Sequence, residues 1–537
     1  ENNTTGDDNT ALGRNTLAGN TTGSRSTAVG RDALAANTTA SGNTAVGMQA
    51  MLTNQTGHTS TAVGEKALYT MDGASYNVAL GYYTGYNITT GSKNVIVGNE
   101  SLKACTTGDQ HVAIGYEASA AVTTNDDTTA IGYNALKANT ASGNVAIGAY
   151  AADANTSGSE NSAIGYGALG ANTTAHDNTA FGHAALNANT TGAANVGIGV
   201  SALKANTTGI RNVAIGVRSL FDNTTGGYNV AVGRHALANN TTASYNTALG
   251  TYAMDTNTTG AKNVAVGYYA MHANTTADGN VAIGYDSLKL NTTGNDNTAL
   301  GYNTLAANVD THDNTAIGMN ALAANTGDDN TAVGAECLET NTTGDQNTAV
   351  GHKALELNTT GSQSVAIGYK ALAAQTTGAN NTAVGRSALA ALTTGIQNVA
   401  LGWNALLANT TANSNTALGY NTLSTNTTGA NNTAVGHHAL KDNTTADKNT
   451  AVGLSALTAN TTGANNTAVG SYALDANTTA SDNTAVGTWA LTANTTGTDN
   501  VAVGMAAMEA NTTGSHNIAI GSYCLDSNTT GNENTAL

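Results

Sequence analysis

The 537 residues carry 18 Lys and Arg against 35 Asp and Glu, a formal charge of −17, and no Pro at all. That balance argues against nucleic acid and anionic membrane surfaces as partners, because both reward clustered cations, and no run reads as a signal peptide or a membrane-inserting segment. Two Phe and two Trp in the whole chain, with much of the 40% hydrophobic content supplied by Ala, leave only a thin core.

From Gly13 the same glycine returns every 17 residues, through Gly30, Gly47 and Gly64 to Gly504 and Gly521. Only the steps Gly132 to Gly148 and Gly318 to Gly334 are shorter, at 16, and each has lost one Thr of an NTT. The glycines mark about 31 copies of one unit, and a fixed period is the signature of a repeat architecture. Residues 1–537 therefore read as a single continuous array. Function is to be sought in a surface that recurs.

Counted from the glycine as first position, the unit runs through two variable residues, a small one, usually Leu at the fifth position and usually Ala at the seventh. NTT fills the eighth to tenth, Gly or Ala the eleventh, and Asn usually the fourteenth. The last three positions, as in Val145, Ala146 and Ile147, alternate large and small in strand fashion. Leu203 and Ala205, at the fifth and seventh, repeat the alternation, so each coil is expected to hold two short strands and to bury one Leu and one Val or Ile. A helix-bearing coil of the leucine-rich kind takes roughly 20 to 29 residues. The pattern thus predicts an all-β fold, a parallel β-solenoid with coils about 4.8 Å apart and a length of roughly 150 Å. The absence of Pro suits a chain whose coils pair on both sides. Ala at the sixteenth position yields only to Ile96 and Gly197, and that strictness predicts close approach of another backbone or chain.

Stacking turns each position into a row. The second and third positions hold 15 of the 20 Tyr together with Trp403 and Trp489, and an excess of Tyr over Phe favours exposed rings with a polar tip. Tyr82, Tyr83, Tyr116, Tyr133, Tyr268, Tyr269, Tyr285, Tyr302, Trp403 and Trp489 are the candidate binding residues. They form either a ridge that grips sugars or protein, or corners that pack along their own row. The NTT row predicts a ladder of stacked Asn amides. It is also a glycosylation sequon, although glycans on every coil would collide. A flat Thr and Asn array that binds ice is a third reading.

Every Lys and Arg falls at the second, third, sixth or thirteenth position, which are expected to be solvated. His183, His235, His352, His437 and His438 lie in the corner rows without a recurring Ser or carboxylate partner, so nothing points to catalysis. On an extended chain the adjacent His437 and His438 would point apart. The pairs Asp7 with Asp8, Asp126 with Asp127 and Asp328 with Asp329 read as turn acids. Without an EF-hand loop or a Ca²⁺-binding nonapeptide, no metal and no cofactor is expected. Cys337 and Cys524 sit where Ala, Ser or Thr usually stands and read as small buried hydrophobes, while Cys105 replaces the Asn of an NTT.

The segments TAVGMQA, Thr44 to Ala50, and VAIGYDS, Val281 to Ser287, resemble the SVAIGxxA unit of trimeric autotransporter adhesin heads. Those heads are left-handed parallel β-rolls made by three chains. The NTAVG and NTTG repeats are similar to those of some phage tail-fibre proteins. The likeness recurs along the whole chain and covers about half of each unit, with NTT as an extra turn. It implies a homotrimer and a structural fibre shaft of an extracellular, cell-surface or virion-surface appendage, with adhesion to a cell-surface or glycan target along the Tyr rows. The competing class is an ice-binding or carbohydrate-binding solenoid. The two are told apart by whether the Thr and Asn row is buried or flat and exposed. An enzyme would need an insertion that breaks the rhythm, yet even Tyr69 to Tyr86, the least regular region, stays in phase. Both ends stand in mid-repeat, so the array is expected to be uncapped, with open β edges suited to an end-to-end filament.

Overall fold

A computed structural model describes residues 2–537. It comprises two compact units, one reaching to Tyr269 and taking in Asn274–Thr276, the other made of Ala270–Ala273 and Ala277–Leu537. Each is a parallel β-solenoid with one three-residue strand per coil, and there is no helix among the described residues. Strands β1 (Thr10–Leu12) to β16 (Val264–Val266) belong to the first unit and β17 (Val281–Ile283) to β32 (Thr535–Ala536, two residues) to the second. Pairing is in register, with Val213, Ala214 and Ile215 beside Val230, Ala231 and Val232, and Thr433, Ala434 and Val435 beside Thr450, Ala451 and Val452.

The expected second strand does not form. The third and fifth positions take the left-handed conformation instead, as at Asp32 (φ 59°) and Leu34 (φ 49°), and the chain winds through successive turns between the second and seventh positions. A non-glycine residue there costs about 1–2 kcal/mol. The cost is offset by what the winding achieves. Leu34 is fully buried, and the coil still bonds to both neighbours, Asp32 N–H to Arg14 O at 2.8 Å, Leu34 N–H to Ala50 O and Ala36 N–H to Leu52 O, both at 3.1 Å. The repeating glycine has a separate cause. Gly30 has φ +125°, and a Cβ built on it would lie 2.6 Å from the carbonyl oxygen of Gly47 in the next coil.

The core is also smaller than the alternation predicts. Ala at the sixteenth position is the strand residue that faces inward, so its neighbours on either side share the outer face. Ala214 is fully buried, whereas Ile215 is 38% exposed. The Val or Ile of the last position is therefore a surface residue. Inside stand Leu of the fifth position and small residues of the fourth and sixteenth. The tight approach expected at the sixteenth position comes from the chain's own Leu: a Cβ built at Gly197 would meet Leu186 Cδ1 at 3.3 Å. Where Gly85 replaces that Leu, Ile88 and Ile96 fill the space, 3.1 and 2.9 Å from a Cβ built there.

Two columns of Asn complete the interior. At the eighth position Asn206 is fully buried, donating from Nδ2 to Asn189 Oδ1 at 2.8 Å and to Gly209 O at 3.0 Å. At the fourteenth, Asn195 Nδ2 donates to Gly209 O of the next coil at 2.8 Å, and its Oδ1 accepts the backbone N–H of Asn212 at 2.9 Å. These amides satisfy the turn carbonyls that a narrow coil would otherwise bury unpaired. The first column is interrupted by Met71, Ile88, Cys105 and Val122 in successive coils and by Leu392, all fully buried. Below Leu392 stands Gln375, whose longer amide turns its Oε1 to Asn381 Nδ2 at 3.1 Å and so finds a partner in the other column. Cys105 and Cys337 are buried as free thiols, and burial pushes them up to about 11 and about 12. Cys524 is half-buried, unlike the expectation, because its coil is the last and is covered from one side only.

Candidate binding surfaces

Thr at the ninth position donates its hydroxyl to the ninth carbonyl of the next coil, as Thr207 Oγ1 does to Thr224 O at 3.0 Å. The tenth-position Thr is exposed, whereas the ninth is half-buried in most coils and exposed in a few, such as Thr140 and Thr326. The NTT row is thus largely internal, and the sequon Asn lies sealed in the solenoid with its amide in use. The turn acids have a defined task too. Asp109 and Asp328, at the twelfth position, accept the backbone N–H of Ser92 and His312 from the preceding coil at 2.6 and 2.8 Å.

The second and third positions form an outer ridge, as the sequence implies. In the first unit Tyr116 stacks on Tyr133 (5.4 Å, 14°), Tyr133 meets Tyr150 and Tyr150 meets Tyr166 edge-on (64° and 74°), and Tyr166 stacks on His183 (5.5 Å, 10°). Tyr82 and Tyr83 touch at 4.3 Å, in a cluster where Lys66 donates to the Tyr83 hydroxyl at 2.6 Å and Tyr69 stacks on Tyr86. Tyr268 and Tyr269 pack at 4.2 Å. In the second unit Tyr285 stacks on Tyr302 at 5.6 Å. Further along, one column runs from His352 on Tyr369, through Arg386 between Tyr369 (5.6 Å) and Trp403 (5.4 Å), to Tyr420 and His437. Trp489 is 46% exposed and has no ring neighbour among the described residues. His437 and His438 do not point apart; their rings lie 3.9 Å from one another because His438 takes φ 59° rather than an extended conformation.

The stacking decides what the ridge offers. Rings within about 15° of parallel cover each other's faces, so these rungs show solvent mainly edges and hydroxyls. The ridge binds coil to coil first. Open aromatic faces occur only where the column is broken. Tyr150, perpendicular to both neighbours, is one such place, and beside it an open notch of about 410 Å³ is lined by Tyr150, Asp153, Tyr166, Gly167, Gly170, Ala171 and Asn187. Burial raises the Asp153 carboxyl above its ordinary range, against backbone N–H groups and Lys137, which favour the charged form. Sequence reasoning singled out neither Tyr150 nor Asp153. The signal was available in GYGALG, Gly165 to Gly170, the only coil with glycine at both the third and sixth positions.

The second surface is the outer strand face, where fifteenth-position Thr or Val and seventeenth-position Val, Ile or Leu run side by side. Val230 is 38%, Leu249 46% and Leu401 43% exposed. One acidic group, Glu336, Glu339 and Glu356, brings its carboxylates within 4.8 Å of one another. Lys353 already stands among them, 2.9 Å from Glu336 and 2.7 Å from Glu356, which holds the Glu336 carboxyl below its usual range. No protein-family model matches the chain, and no curated protein matches it in sequence.

Proposed function

We propose that this chain is the shaft of an extracellular, cell-surface or virion-surface fibre, a structural element and not an enzyme, in which copies associate side by side as a homotrimer through the outer strand face. The observation that supports this most is the pair of outward rows on the strands. A typical monomer leaves its largest apolar patch at roughly 300–600 Å². In each unit the rows run along sixteen strands, and at on the order of 50 Å² per coil they exceed that bound. The number three follows the resemblance to trimeric adhesin heads. The interior supports a shaft, since the Asn columns link coil to coil, as Asn206 does to Asn189 and Asn223, and the array lengthens by repeating the same bonds. The Tyr ridge stays outward in such an assembly, open to a cell-surface or glycan target, and the coil edges suit end-to-end growth. An ice-binding role draws no support from the NTT row, whose Asn is sealed inside.

Light scattering combined with negative-stain microscopy tests the proposal. A mass three times that of one chain, on elongated particles of uniform width, is expected. A monodisperse monomer would overturn it.

A further inference from the structure

Acids at the third position meet a cation, in three cases a lysine at the sixth position, Lys103 with Glu100 at 3.2 Å, Lys137 with Glu117 at 2.6 Å and Lys289 with Asp286 at 3.0 Å, while Asp32 meets Arg31 and Glu336 meets Lys353. The coil of Gly165 departs from that pattern. Glycine holds both positions, and the notch described above opens over Gly167 and Gly170. A Cβ built at Gly170 would lie 3.1 Å from Asn187 Nδ2 and 3.6 Å from Asp153 Oδ1, so carboxylate and amide border the space that a side chain occupies in other coils. Asp153, half-buried, has no cation within ion-pair distance among the described residues, for Lys137 is held by Glu117.

The free groups decide what fits. Asn187 Nδ2 donates one N–H to Gly167 O at 2.8 Å and holds the side chain against the wall of the notch. Asp153 adds two carboxylate oxygens. Tyr133 and Tyr166 turn one face each to Tyr116 and His183, and Tyr150 is set edge-on between them, with its own faces directed out of the column. A carboxylate with no ion-pair partner beside an open aromatic face complements a group that has positive charge and N–H donors.

We propose that the notch over Gly167 and Gly170 binds a primary ammonium group, that of an amino sugar or a lysine side chain, with Asp153 accepting its N–H bonds and Tyr150 providing a cation–π contact. The raised Asp153 carboxyl agrees with a site that lacks its cation. The inference rests on the reading that copies meet through the strand face, which leaves the corner rows open.

Titration calorimetry on the full chain, with methylammonium, glucosamine and Nα-acetyl-lysine amide as probes and glucose as control, tests it. Saturable binding of the ammonium probes at one site per chain is expected, with glucose inert; the stronger of glucosamine and acetyl-lysine identifies the source. Asp153→Asn weakens binding by about tenfold or more, the loss of a charge-assisted contact. Gly170→Lys, placing a tethered ammonium at a position where Lys103 and Lys137 stand in their own coils, abolishes it with the mass in solution unchanged. Equal binding by either variant, or glucose binding as well as glucosamine, overturns the site. Binding seen only when association is blocked by charges on the strand face upholds the notch and overturns the reading that the assembly leaves the corner rows open. Binding absent in both forms overturns the notch alone.

Discussion

Replacing Asn206 by Leu separates the two ways in which a buried amide column can stabilise a coil. Asn206 Nδ2 donates to Asn189 Oδ1 and Gly209 O, and its Oδ1 accepts from Asn223 Nδ2 at 2.8 Å. Gly209 O keeps its bond from Asn195, and Asn223 keeps one to Gly226 O. The substitution therefore strands one acceptor on Asn189 and one N–H on Asn223. At about 1–3 kcal/mol for each buried group left unpaired, the local cost is on the order of 2–6 kcal/mol. Replacing Asn206, Asn223 and Asn240 together again strands two ends, Asn189 Oδ1 and one N–H of Asn257, because Gly226 O and Ala243 O keep their bonds from Asn212 and Asn229. The triple variant is thus expected to cost about as much as the single one, a penalty per interruption and not per residue. The run Met71, Ile88, Cys105 and Val122 is the chain's own version of such an interruption. Because repeat arrays open locally, the assay is hydrogen exchange of the backbone amides between residues 189 and 257. A triple variant whose protection falls by three times the single-variant free energy would refute the reasoning.

Three further outcomes are expected. Gly30→Ala brings a methyl against the Gly47 carbonyl at φ +125° and should cost at least about 2 kcal/mol, read as proteolytic nicking near residue 30; an uncleaved variant would contradict it. His111 occupies a fourteenth position, and burial lowers its pKa despite the nearby Asp109, Asp126 and Asp127. The unfolded chain then takes up the proton first, so this coil's contribution is complete above the ordinary histidine range and declines as pH falls through it. Lower protection around residues 98–128 at pH 5 than at pH 7, each relative to the intrinsic exchange rate at that pH and equalised in His111→Asn, is the check. Ile215→Lys with Val232→Lys places two charges on the outer strand face and is expected to reduce the mass in solution to that of one chain while the circular dichroism is retained.

Period and pairing were legible because the glycine is fixed by a clash that no side chain escapes, and because alternation over three residues admits only a strand. The side of the strand that is core was not legible. Alternation in Val145, Ala146 and Ile147 states that Ala and its neighbours face opposite ways, and size then favours the larger pair for the interior. The coil is too narrow for that choice: its interior is already filled by Leu at the fifth position and by two Asn. The missing second strand has the same kind of origin. Positive φ at Leu34 and its counterparts runs against the residue's own preference, and only the neighbouring coils, by accepting its N–H and burying its side chain, hold it there. The ridge was read correctly as a row. Its ring orientations, which distinguish covered faces from open ones, depend on torsions that composition does not encode.

The division between fixed and variable positions follows from this interior. Leu, two Asn and two small residues serve packing and the carbonyls, so the positions left to vary, the second, third, sixth and thirteenth above all, project from the corner of the coil, the third and thirteenth with the same positive φ whichever residue stands there. Chemistry can therefore change coil by coil without cost to the fold. The same separation explains why a site takes the form of a deletion. Adding a side chain to a row of side chains makes another rung, as Tyr133 does above Tyr116. Removing two, as at Gly167 and Gly170, makes a concavity walled by the coils on either side. In an array of near-identical units, the coil that lacks side chains where its neighbours have them is where binding is to be sought.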